Sequence, residues 1–473
     1  MNNIKNELVE TYNNFIEKSG LNLAIDLAAE LGTILWLNNL GVYSLPKIEQ
    51  SLIERVTLEF KIDALSNKTD GKFLFIATEI YLTGGHSRLM ENISTFLKEE
   101  TVDLFIINKI AADVIKREEK FFSNIKIFSG KNFSNLEKIG DISEFISKYD
   151  TIILGILPND IVTTISCAIA KKINSKLKIY FVNHSDHSFS FGSTISNVWY
   201  EISLNGIQID FYRNLNAYKS FLGIPAKINS YKPLARKFID GDLILSAGSF
   251  IKYKPSNGRS LMPLIDTLLS KYKKSKFLLI GIRKYRDYWW WLLKIKYWNR
   301  LILTPKLTFE DYLNVTQEAR LYIDSHPFPG GTAFVEQFLN GEKLCTGLLS
   351  SWNGYTPLEK HKRADIQSII DFIESSNWEE YNSLYSEICY VHSFENVQNR
   401  FIKSLNGEFS AHPFEQSDFS KFKVNSSDKI HIIPVIVSIK NYKLLYQIYL
   451  HSKFTSFVQF IIKKLIYNVI KYR

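Results

Sequence analysis

The chain has 473 residues, 45% hydrophobic and 22% charged, a globular composition too long for one ordinary domain. Its net charge of +10 points to nucleic acid, a membrane surface or an anionic substrate as partner. Cys167, Cys345 and Cys389 are odd in number and far apart, which argues against a disulfide framework and a structural zinc site and fits a reducing cytoplasm. The first residues lack a signal-peptide pattern, and no run of about 18 apolar residues suggests a membrane span. A soluble cytoplasmic protein is therefore expected.

Residues 1–69 read as a helical extension. Leu8, Tyr12, Phe15 and Ile16 recur at helical spacing, as do Leu27, Leu31, Ile34 and Leu35. The expected role is a cap on the main body or on a second subunit. From residue 70 the pattern changes to short apolar runs suited to strands buried on both faces: Lys72–Thr78, Val102–Ile107, Ile125–Phe128, Thr151–Leu157 and Leu177–Val182. Segments of helical period separate them, among them Ser87–Lys98 and Ile161–Ile173. This alternation predicts βαβ units and a parallel sheet over 70–235. A second series covers 236–415, with strands expected at Asp242–Gly248, Lys276–Gly281, Leu301–Leu303, Leu321–Ile323 and Lys343–Cys345. The basic, proline-bearing stretch Gly223–Asp240 reads as the hinge.

Open α/β sheets bind ligands beyond the C-terminal ends of their strands. Gly84, Gly85, His86 and Arg88 follow the first strand of the first sheet, and Asn183-His184-Ser185-Asp186-His187 follows a later one. In the second sheet, Gly248, Lys252 and Lys254 follow the first strand, and Ser325-His326-Pro327-Phe328-Pro329-Gly330-Gly331-Thr332 follows a later one. Four polar loops are thus expected to line one cleft. Gly330 and Gly331 permit close backbone approach, and Thr332 is a natural N-cap whose following amides suit a phosphate. Glu336, about one turn further, suits the two hydroxyls of a ribose. Asp240-Gly-Asp242 precedes a strand and reads as a turn at the opposite end of the sheet. The absence of HExxH, Walker and GxGxxG patterns argues against peptidase, NTPase and dehydrogenase functions.

Together, the paired sheets, the Gly84-Gly85 loop and Pro329-Gly-Gly-Thr-Ala-Phe-Val-Glu336 resemble the GT-B glycosyltransferases over roughly residues 70–400. Asn183–His187 is similar to a motif of bacterial enzymes related to cytoplasmic N-glycosyltransferases and O-GlcNAc transferase. The resemblance implies an α/β fold of two Rossmann-like domains facing across a cleft. The first would present a glycan or lipid-linked acceptor and the second would grip a nucleotide-diphosphate sugar, with no metal or other cofactor. It implies donor contacts at Gly330, Gly331, Thr332, Glu336, Gly248, Lys252 and His326. Lys254 is preferred over Lys252 for the departing diphosphate, with Arg283 and Lys284 behind them. An inverting transfer needs a base, expected at His86, then His187, then His184, with Asp186 orienting a ring and Gly84, Gly85 and Arg88 on the acceptor side.

Residues 416–473 read as crossing or amphipathic basic helices. Ile432–Arg473 holds seven Lys/Arg and no acidic residue, with Phe454, Phe457, Ile461 and Leu465 on one helical face. That pattern suits an anionic membrane at the inner face of the cytoplasmic membrane, and by holding most of the excess charge it removes the main support for nucleic acid. Packing back on the first domain is the other use of such a tail. The aromatic cluster Tyr288-Trp-Trp-Trp291 with Trp298 reads first as packing of an insertion, with sugar or membrane contact as its functional alternative. The expected activity is sugar transfer in bacterial surface polysaccharide or glycoconjugate synthesis. A nucleotide-sugar 2-epimerase and a non-catalytic partner subunit of the same fold are the alternatives.

Overall fold

The computed structural model describes residues 2–38, 40–60, 71–82, 85–108, 110–130, 132–228, 230–256, 258–350, 355–375 and 378–413. Gly84 and the basic tail, both singled out above, lie outside them.

Two parallel sheets carry the fold. The first contains β1 (Gly71–Ala77), β2 (Val102–Ile106), β3 (Asn124–Ile127), β4 (Tyr149–Gly155), β5 (Lys178–Val182), β6 (Val198–Glu201) and β7 (Tyr218–Phe221), in the order β3-β2-β1-β4-β5-β6-β7. The second contains β8 (Leu243–Ala247), β9 (Lys276–Ile280), β10 (Leu301–Thr304), β11 (Leu321–Ile323), β12 (Leu344–Leu348) and β13 (Lys362–Arg363), in the order β10-β9-β8-β11-β12-β13. Each sheet winds outward both ways from its first strand, so each has a switch point, between β1 and β4 and between β8 and β11.

The apolar runs become strands because both faces of each sheet are covered. In β1, Phe73, Phe75 and Ala77 join one buried cluster and Leu74 and Ile76 another. The three N-terminal helices, Asn2–Lys18, Leu21–Asn38 and Pro46–Phe60, pack on this same domain. Tyr12, Ile25, Leu31 and Leu52 form one core with Ile161, Ile165 and Ile169 of the helix Ile161–Ile173. Buried Glu49 clamps them in place, accepting from the Gly192 amide at 3.1 Å and from the Thr194 amide and hydroxyl at 3.1 and 2.6 Å.

The crossing back to the first domain occurs earlier than the sequence suggests. The helix Phe394–Leu405, which pattern alone puts in the second domain, sets Val397 and Phe401 into the first domain's core. Phe401 meets Phe96 and Tyr200, each at 5.9 Å between centroids. The reading of Asp240-Gly-Asp242 as a turn agrees with the structure: Asp240 accepts from the Lys274 and Ser275 amides, and Asp242 pairs with Arg236 at 2.7 Å.

Candidate active site

The loops around both switch points meet. After β1, the helix Gly85–Ser94 begins and places His86 against the end of β4. A Cβ on Gly155 would lie 3.1 Å from His86 Cε1 and 2.7 Å from Met90 Sδ, so glycine at this strand end makes room for the ring. His184, in the loop after β5, lies against His86 with ring centroids 3.8 Å apart and the planes tilted by 32°. Burial pushes the His86 imidazole down to about 4, against an opposing pull from the Gly155 backbone. His184 falls well below the usual range through burial, then the proximity of His86 and His187. Both rings are therefore neutral near pH 7.

His187 is half-buried, and its Nδ1 lies 3.2 Å from the Tyr355 hydroxyl and 3.8 Å from Asp186 Oδ1. Asp186 is buried and accepts from Ser203 Oγ at 2.5 Å, while Arg213, fully buried, donates to the Asp186 and Ser188 carbonyls. Ser203 and Arg213 thus brace Asp186 and its loop.

In the second domain the diglycine turn is held from within. Asp324, at the end of β11, accepts from the Gly330 amide at 2.8 Å and the Ser325 amide at 2.8 Å, and pairs with buried Lys362 at 2.9 Å. A Cβ on Gly330 would come within 2.3 Å of Asp324 Oδ1, and Gly331 has φ +52°, so close approach requires the first glycine and backbone conformation the second. Burial lowers the Lys362 ammonium, but Asp324 and Glu359 outweigh it and hold its pKa up.

Two expectations change here. The Gly330 amide belongs to Asp324 rather than to a phosphate, which leaves the Gly331 and Thr332 amides without an acceptor among the described residues. The N-cap of the helix Thr332–Phe338 is Gly331, because its positive φ turns the chain into the helix, and Thr332 is the first helical residue. A third concerns the lysines. Lys254 is exposed, whereas Lys252 turns inward and donates to the Pro329 carbonyl at 2.7 Å. Burial lowers the Lys252 ammonium, partly offset by Asp324.

Glu336 is buried and not vacant: Arg88, reaching from the first domain, forms an ion pair with it, with a further Nη1–Oε2 distance of 3.4 Å. Gly85 also lies across from Thr332, where a Cβ would be 3.6 Å from the threonine hydroxyl. His326 is buried beside the turn, its pKa pushed down to about 4 by burial and then by Arg259 and Lys362. Gly248 faces Gly281, where a Cβ would stand 1.7 Å from the Gly248 carbonyl, so the loops after β8 and β9 touch. Beside them is a hollow of about 430 Å³ lined by Phe250, Ile282, Arg283, Tyr285, Pro305 and Lys306, with Arg283 stacked 3.4 Å over the Phe250 ring. A larger hollow of about 640 Å³, lined by Lys360, His361, Asp371 and Glu387 among others, includes none of these residues.

Sequence reasoning missed Asp324, Lys362, Tyr355 and Arg213. Only Asp324 carried a signal, an acid at a strand's C-terminal end directly before a glycine turn.

No family model and no curated protein matches the sequence. Among solved structures, Anabaena HepE in complex with UDP and glucose aligns over 71% of this chain and 100% of its own, at 14% identity and a TM-score of 0.53. The fold is that of the GT-B glycosyltransferases. Two further solved structures align less well. The Thermobaculum terrenum O-GlcNAc transferase aligns over 83% of this chain and 77% of its own, at 11% identity and a TM-score of 0.46. A UDP-N-acetylglucosamine 2-epimerase aligns over 74% and 99%, at 11% and 0.48. Among the described residues, no helix is long and apolar enough to cross a membrane, and no group of three or more His, Cys, Asp and Glu is arranged to hold a metal ion.

Proposed function

We propose that this protein transfers a sugar from a nucleotide-diphosphate donor to a hydroxyl of a glycan acceptor, without a metal and with inversion, in bacterial surface polysaccharide or glycoconjugate assembly. The observation that carries this reading is the meeting of the histidine loops and the diglycine turn at the switch points of two facing sheets, with Arg88 touching Glu336 and Tyr355 touching His187 across the domains. The similarity to HepE, crystallised with UDP-glucose, supports a nucleotide sugar as the donor.

In this reading His86 takes the acceptor's proton, and the neutral ring that burial enforces is the form able to do so. The acceptor oxygen bonds to the anomeric carbon as the bond to the diphosphate breaks. Lys252 and the Gly331 and Thr332 amides meet the charge on the departing nucleoside diphosphate, usually the largest catalytic contribution. Glu336 binds the ribose once Arg88 releases it, and the hollow at Phe250 and Arg283 receives the base.

The test is titration with UDP in EDTA, followed by turnover of UDP-sugars with glycan acceptors. His86→Ala should abolish turnover while UDP still binds, and Glu336→Ala should weaken UDP binding by roughly tenfold or more, the scale of one lost charged hydrogen bond. Failure of UDP and other nucleoside diphosphates to bind would overturn the donor reading. Binding with epimerisation and no transfer would overturn the transferase.

A further inference from the structure

Between β9 and β10 the second domain carries a segment whose outer face the proposed chemistry does not use. Residues 283–306 contain seven Lys/Arg and one acid, Asp287, which is buried and paired with Arg283 at 2.8 Å. The segment folds as two short consecutive helical pieces, Tyr288–Trp290 and Trp291–Lys296. Its inner side is anchored, since Trp290 is fully buried edge-on to Tyr253, and Tyr297 and Leu301 are buried with it. This much agrees with the packing role expected for the aromatic cluster.

The outer side does not. Tyr288, Trp291, Leu292, Ile295 and Trp298 each lie three or four positions from another of the set, which groups them on one side of the helical segment. Their exposures are 67%, 50%, 83%, 67% and 67%, and no residue of Trp291–Lys296 is buried. A contiguous exposed apolar stripe of this kind marks a contact surface.

The charge around the stripe selects the occupant. Lys284, Arg286, Lys294 and Lys296 surround it, and nearby Asp266 is taken by Lys296 at 2.6 Å. The chain's own residues 432–473 are apolar enough to cover it but carry seven cations and no acid, so like charge would meet like. A second copy of this face would bring the same conflict. A saccharide would stack on the aromatic rings, but Leu292 and Ile295 at the centre offer it no hydrogen bonds. Aliphatic side chains at the centre, with Trp, Tyr and Lys around them, match the boundary between lipid headgroups and acyl chains.

We propose that this face of the second domain, centred on Leu292 and Ile295, docks the protein on an anionic lipid bilayer. The contact is peripheral and independent of the sugar-transfer reading. The experiment is co-sedimentation of the full chain with vesicles of phosphatidylcholine alone or mixed with phosphatidylglycerol. Wild type should bind the mixed vesicles, bind phosphatidylcholine poorly, and weaken as salt is raised. The double variant Leu292→Glu/Ile295→Glu, which alters two highly exposed side chains and keeps the tail, should bind about a hundredfold more weakly, because each aliphatic group withdrawn from lipid forfeits about a factor of ten. Its melting temperature and UDP affinity should match wild type. Wild-type-like vesicle binding by the double variant would overturn the proposal, since the tail alone would then account for attachment. So would a wild-type dimer in sedimentation velocity that the substitutions dissociate, or the absence of anionic vesicle binding by wild type.

Discussion

Lys252 and Lys254 are two positions apart on one loop, yet their fates diverge: one reaches the Pro329 carbonyl and the other faces solvent. Lys252→Ala should lower kcat/KM about 100-fold, the usual loss for a charge-stabilising group, while Lys254→Ala stays within about threefold of wild type. Steady-state rates on both variants check this, and equal losses would argue against Lys252. His86 offers a pH signature. Because burial holds its pKa near 4, below the ordinary 6.5, the acid limb of kcat/KM should fall below about pH 5. A limb near neutral pH would argue against His86 as the base. At this scale the diglycine was legible because glycine's freedom is a local property. The Asp324–Lys362 pair was not, because it joins residues far apart in sequence, one just after β11 and one on β13, and Lys362 reads as an ordinary charged residue between His361 and Arg363.

Among elements, the strands buried on both faces were legible as unbroken apolar runs. β6 and β7 were not: Val198–Glu201 is only four residues and ends in a buried acid, and Tyr218–Phe221 begins with two exposed residues. β13 is two residues long, below what any pattern can reveal. The helix Phe394–Leu405 misleads for another reason, since helical period reports an apolar stripe without saying which domain covers it. Its burial on the first domain predicts that Phe401→Ala, which empties a site between Phe96 and Tyr200, costs about 3–5 kcal/mol. Chemical denaturation measures this, and a cost below 1 kcal/mol would argue against that packing.

The whole molecule depends on how the chain passes between its halves. His392 lies there fully buried, its Nδ1 2.9 Å from the Ile224 carbonyl, and its own carbonyl accepts from the Ala226 amide at 2.8 Å. Burial pushes its pKa down to about 4, with the Ile224 backbone opposing. An unfolded histidine takes a proton below about 6.5 and the folded one only near 4, so His392 costs no stability at pH 7 and an increasing amount as pH falls through that window. At pH 5 the penalty is about 2 kcal/mol. His392→Gln should therefore lose less melting temperature than wild type between pH 7 and pH 5, and an equal loss would show that this residue does not set the acid limit. The two-sheet plan was legible at this scale because βαβ alternation is a long-range pattern. The contacts between the halves were not, because they join single side chains from loops whose relative placement no local pattern encodes.

The ion pair between Arg88 and Glu336 has a kinetic consequence. If an incoming ribose takes Glu336, it sets loose a guanidinium two positions from His86, on the side where the proposed reading puts the acceptor. The acceptor subsite then acquires its positive charge only after the donor is seated. Such an enzyme would bind its substrates in compulsory order, and an anionic acceptor arriving early would find a neutralised pair.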